Sequence, residues 1–126
     1  VMFIATSTSA AFPVLVQMKR RPGSRYIVTW PIPLFYKGAA GNEGGEFPYR
    51  RRDELLSEEV RFLGDLSEDL DTIRPRMILV GQGSQNQACP EGFDLRDYLI
   101  HTGLMDKILS EYTPARAVHG YDVFVR

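Results

Sequence analysis

The sequence predicts an α/β fold: a three-layer Rossmann-like sandwich around a mostly parallel sheet, with a C-terminal antiparallel hairpin. Three observations predict it. Apolar residues recur at helical steps through residues 53–73 and lead, after a proline, into Met77-Ile78-Leu79-Val80. That tetrad is too short for a helix and too apolar for a half-exposed edge, so it reads as a central strand. Strand-like and helix-like runs follow the order β-α-β-loop-α-β-α-β-β, which right-handed crossovers turn into a layered sheet. Finally, Ala115 to Val118, His119-Gly120 and Tyr121 to Val125 read as two strands and their turn.

The chain has 126 residues, enough for a single domain (1–126) with its own core. A hydrophobic content of 44% and a charged content of 25% are those of an ordinary soluble domain. A net charge of −1 and a pI near 6.1 make no overall electrostatic case for nucleic acid or for an anionic membrane surface. Cys89 is the only cysteine, so no internal disulfide forms. Val1 to Met18 carries no charge and is followed by Lys19-Arg20-Arg21, the outline of a membrane segment with a basic flank. The small, hydroxylated run 5–11 and Pro13 interrupt it, and the soluble reading is preferred.

Taken in order, Met2 to Ala5 is a first buried strand, and residues 10–19 form a short helix that Pro13 disturbs. Arg21-Pro22-Gly23-Ser24 is a turn, and the β-branched and aromatic run Tyr26 to Trp30 a second strand. Pro31 and Pro33 leave Leu34-Phe35-Tyr36 extended. Residues 37–52 form a loose Gly-rich connection with little to bury. In the 53–73 helix, Asp53 is the cap. Leu56, Val60, Leu63, Leu66, Leu70 and Ile73 make the core stripe, while Glu58, Glu59, Asp65, Glu68 and Asp69 fall mostly on the solvated side. Asp94 caps a helix over 94–102, Gly103 divides it from a second over 104–111, and Pro114 ends the pair.

Ligands of parallel sheets collect beyond the carboxyl ends of the strands. Thr6, Ser7 and Thr8 lie there after the first strand, and Gln82 and Ser84 after the central one; these five are the candidate ligand contacts. Gly81-Gln82-Gly83-Ser84-Gln85 resembles the GQGSQ loop of malonyl- and acyl-CoA acyltransferases over those five residues, but no nucleophile elbow follows it. It also lacks the third glycine of a dinucleotide fingerprint. Arg50, Arg51 and Arg52 either contact an anion or lipid headgroup or pair with Glu54, Glu58 or Glu59. His101 reads as a helix C-terminal residue and His119 as a turn residue; with one cysteine besides, no metal site, cofactor or catalytic residue is predicted.

Five stretches carry a wider resemblance: residues 7–15 (STSAAFPVL), 24–36 (SRYIVTWPIPLFY), 62–80 (FLGDLSEDLDTIRPRMILV), 92–99 (GFDLRDYL) and 120–126 (GYDVFVR). In this order they resemble the soluble C-terminal domain of bacterial multi-spanning glycosyltransferase-like membrane proteins, related to the dolichyl- or polyprenyl-phosphate-sugar mannosyltransferase superfamily. The resemblance implies a domain on the extracytoplasmic, periplasmic face of the inner membrane. Its partners would be the transmembrane part of the same parent chain and a lipid-linked sugar or acceptor, not nucleic acid. Its implied role is non-catalytic, positioning the acceptor or shaping the cavity. A chain that starts at Val1 fits a domain cut from behind membrane helices. Two other classes remain open: a free-standing α/β enzyme or ligand binder using the strand-end loops, and an interaction module with an apolar patch around Trp30, Pro31, Leu34, Phe35 and Tyr36.

Overall fold

The computed structural model describes residues 1–7, 11–27, 29, 31–39, 45–83 and 89–126, with the side chains of residues 11 and 12 outside that description. The elements are β1 (Met2–Ile4), α1 (Ala11–Gln17), α2 (Pro31–Leu34), α3 (Ser57–Thr72) and β2 (Met77–Gly81), then α4 (Leu95–Thr102), α5 (Leu104–Glu111), β3 (Thr113–Pro114) and β4 (Tyr121–Val125). The α/β class is as the sequence predicts. The sheet runs β1-β2-β4-β3. β1 and β2 are parallel, while β4 pairs antiparallel with both β2 and β3.

The expected mostly parallel sheet is therefore corrected to a mixed one among the described strands. Much of the difference lies at the expected second strand, whose Val28 and Trp30 are outside the described residues. Residues 23–27 are bent rather than paired as a strand. They nevertheless follow the outer edge of β1: Gly23 N–H donates to Val1 O at 2.6 Å and Thr29 N–H to Ala5 O at 2.9 Å. Gly23 to Thr29 is two residues longer than Val1 to Ala5, so strand register is not kept between the two anchors. At the first anchor a Cβ on Gly23 would stand 2.8 Å from the Val1 carbonyl, closer than a side chain tolerates.

The edges of the helices follow local chemistry. Asp94 accepts from the Asp97 amide at 3.1 Å to start α4, and Gly103, at φ 79°, separates α4 from α5. The predicted hairpin is present, with His119 and Gly120 at φ 45° and 81° and Val118 bridged to Tyr121. Its first strand lies at 113–114 instead of 115–118. Leu34 to Tyr36 is not extended, because Pro31 sits at the first position of a helical turn, where a missing N–H costs nothing.

α3 differs more instructively. It starts at Ser57, after Leu56, so Asp53 is not its cap. Its buried residues are Glu59, Phe62, Leu66, Asp69 and Leu70, whereas Val60 is 52% exposed and Ile73 47%. The helix is turned about one residue from the expected stripe. Two carboxylates assigned to the solvated side face inward, because partners from other elements meet them there.

Alternation along β1 splits the core. Met2 and Ile4 join Ile78, Val80 and the inner residues of α3, α4 and α5 in the larger cluster. Phe3 and Ala5 face Leu15 of α1 and Tyr121 on the other side. No helix among the described residues is long and apolar enough to cross a membrane.

Candidate functional site

Of the five strand-end residues, Thr6, Ser7 and Gln82 lie among the described residues. Thr6 is fully buried and Ser7 half-buried, so neither presents an open hydroxyl patch. Gln82 is exposed, and its side-chain amide donates to Asp122 Oδ1 at 2.7 Å. Arg96 holds the other oxygen of Asp122 at 2.9 Å, so Gln82 serves to tie β2 to β4 and α4. Thr8 and Ser84 lie outside the described residues. In the third reading, Tyr36 is buried and only Leu34 of its described neighbours is largely exposed; Trp30 is outside the description.

Each guanidinium of 50–52 has a carboxylate of its own chain nearby. Arg51 reaches Glu54 at 3.0 Å and Asp53 at 3.4 Å, and Arg52 approaches Asp106 at 4.0 Å. Arg50 is half-buried, lies 4.7 Å from the Tyr36 ring centroid and meets Glu59 at 3.4 Å.

Glu59 is the hub that sequence reasoning missed. It is fully buried. Its Oε1 accepts from the Tyr98 hydroxyl at 2.9 Å and the Tyr36 hydroxyl at 3.2 Å. Its Oε2 accepts from Arg50 at 3.4 Å and the Leu56 amide at 3.3 Å. A buried carboxylate is tolerated only with such a full set of donors. Burial foremost, then the Glu59 charge, pushes the Tyr98 hydroxyl far above its ordinary range, and burial foremost also raises the Tyr36 hydroxyl. These hydroxyls therefore remain donors. Spacing was the available signal: Glu59, Phe62, Leu66 and Asp69 repeat on one helical face.

Around the hub the rings of Tyr36, Phe47, Tyr49, Phe93 and Tyr98 pack with centroids 4.9–6.2 Å apart. Tyr49 is fixed at its hydroxyl by two bonds. Its hydroxyl donates to Asp94 O and accepts from Asp94 N–H, each at 2.8 Å, and His101 lies 5.6 Å from its ring. Burial pushes the Tyr49 hydroxyl up to about 12.

The outer side of this aromatic cluster is a cleft of about 300 Å³ beside α4. Phe47, Tyr49, Ile100 and His101 line it, with the carboxylates of Glu46 and Asp97. Such a cleft offers flat apolar rings together with acceptors for hydroxyl or ammonium groups. Its aromatic half comes from the stretch read as a loose loop, where the pair Phe47 and Tyr49 was the overlooked signal. Among the described residues, no group of three His, Cys, Asp or Glu side chains is arranged to hold a metal ion.

Compared with known proteins, the chain matches no family model, no curated protein and no solved structure.

Proposed function

We propose that this chain is a non-catalytic binding domain of a glycosyltransferase-like membrane protein, and that the cleft beside α4 receives the sugar-bearing acceptor. The observation that carries this reading is the cleft's make-up, with aromatic rings and the acidic residues Glu46 and Asp97 lining a volume of about 300 Å³. A pyranose places its C–H face against rings and its hydroxyls toward carboxylate acceptors. The five sequence stretches that resemble the mannosyltransferase-related domains support the same class. A Rossmann-like three-layer plan belongs to the proposal as well, supported by the parallel β1–β2 pair and by core clusters on both sides of β1. In this reading the transmembrane part of the parent chain supplies the catalytic groups, and the domain stands on the extracytoplasmic side.

The test is an NMR titration of the whole chain with mannose and methyl mannosides. Saturable shifts centred on Tyr49, Asp97 and His101, with a Kd of about 1 mM or tighter, are expected and should vanish in Tyr49→Ala. Uniform or absent shifts at saturating sugar would sink the acceptor reading.

A further inference from the structure

At the starting ends of β1 and β2, opposite the strand ends that carry Thr6 and Gln82, two hollows of about 320 and 460 Å³ adjoin through Arg20 and Pro22. Cations surround them: Lys19 and Arg20 line the first, and Arg20, Arg21, Arg74 and Arg76 the second. Among the described residues no carboxylate lines either hollow. Arg74 stands 3.8 Å from Glu111, but Lys19, Arg20, Arg21 and Arg76 form no ion pair among the described residues. A chain with a net charge of −1 thus gathers five cations on one side.

Apolar side chains stand between these charges. Val16 is 60% exposed, Met18 52%, Ile27 43% and Ile73 47%, and each lines one of the two hollows. The backbone reinforces the pattern. α1 closes with Lys19 N–H donating to Val16 O and Arg20 N–H to Leu15 O, at 3.1 and 3.0 Å. Lys19 holds φ 50° and Arg74, just past α3, holds φ 48°, positions where glycine is the cheaper residue. A helix-end dipole accounts for one cation at each end. Arg20, Arg21 and Arg76 exceed that.

We propose that this face docks on an anionic lipid bilayer: the guanidinium and ammonium groups meet headgroup phosphates, and Val16, Met18, Ile27 and Ile73 enter the headgroup–acyl boundary. Charge complementarity selects an anionic partner, and a bilayer surface takes up the four apolar side chains together with the cations, which a soluble anion would not. Interfacial binding needs both terms, apolar area and cations. The proposal does not depend on the sugar reading, since none of the cleft residues lines these hollows.

Co-sedimentation of the whole chain with vesicles tests it, using phosphatidylcholine alone and phosphatidylcholine mixed with phosphatidylglycerol. Binding is expected only to the mixed vesicles and should weaken as salt is raised. Arg21→Gln with Arg76→Gln should weaken it about 25-fold, at roughly fivefold per cation. Met18→Ser with Ile73→Ser should weaken it about tenfold or more. Lys37→Gln with Arg61→Gln makes the same net charge change around the opposite end of α3 and should alter binding less than about twofold. All six side chains are exposed, so an unchanged melting temperature will show that the variants are folded. Equal binding to neutral vesicles would overturn the proposal, as would full competition by inorganic phosphate. Tighter binding to a single-stranded oligonucleotide with no dependence on Met18 or Ile73 would overturn it too.

Discussion

The cleft beside α4 and the face at the strand starts are both concave, yet they are built in opposite ways. The cleft rests on side chains that are themselves core: Phe47 is buried, the Tyr49 hydroxyl is bonded twice to the Asp94 backbone, and Glu59 satisfies Tyr36 and Tyr98 behind them. The basic face is made of side chains that support little else. Val16 and Met18 are more than half in water and Ile73 nearly half, and most of the cations beside them lack a carboxylate partner among the described residues. The first surface is shaped by folding and carries a binding chemistry as a by-product. The second spends exposed apolar area and clustered charge that folding does not require, which makes partner binding the better explanation for it.

The contrast predicts a graded mutational response. Glu59→Ala should be the largest perturbation, lowering stability by about 3–5 kcal/mol, because it leaves Arg50 and two buried hydroxyls without their acceptor. Urea unfolding measures it, and a loss near zero would remove the hub from the account. Tyr49→Phe should cost about 1–3 kcal/mol for the two bonds to Asp94, with the fold retained. It also tests pH dependence. The Tyr49 hydroxyl is raised to about 12 from an unfolded value near 10, so its share of stability is complete below about pH 10 and is lost as pH rises through about 12. Tyr36 and Tyr98 move in the same direction, so the phenylalanine variant should flatten the alkaline decline without abolishing it. The smallest effects belong to the basic face: Arg76→Gln and Ile73→Ser should each stay within about 0.5 kcal/mol of the parent. A larger loss there would mean that the face is structural after all.

Local signals in the sequence were read well where they act locally. Asp94 and Gly103 place α4 and α5 almost to the residue, and the apolar tetrad 77–80 is the central strand. Residues whose role is set by distant partners were not legible. Glu59 and Asp69 looked solvated because charge alone was weighed. Asp69 in fact receives the Ser24 hydroxyl at 2.7 Å, the Arg25 amide at 2.8 Å and the Arg25 Nε at 3.0 Å. Burial pushes that carboxyl up, but the Arg25 and Ser24 hydrogen bonds outweigh it and leave it below the ordinary range. Whole-chain charge misled in the same way. A sum of −1 conceals the separation of α3's acids from the cations at 19–21, 74 and 76. The Arg50-Arg51-Arg52 run drew attention by being contiguous, although its charges are answered from within the chain.

The bent segment 23–27, with its anchors at Gly23 and Thr29, has one more consequence. A parallel pair leaves a row of amides and carbonyls along its outer side, a template for any extended chain. Here two backbone bonds close the ends of that row on β1, and Arg25, gripped by Asp65, Glu68 and Asp69, pins the slack between them to α3. At the far side of the sheet, β3 is two residues long and ends in Pro114, which has no amide to offer. Both margins of the sheet are thereby defended against self-association, and contacts with other molecules are left to side chains.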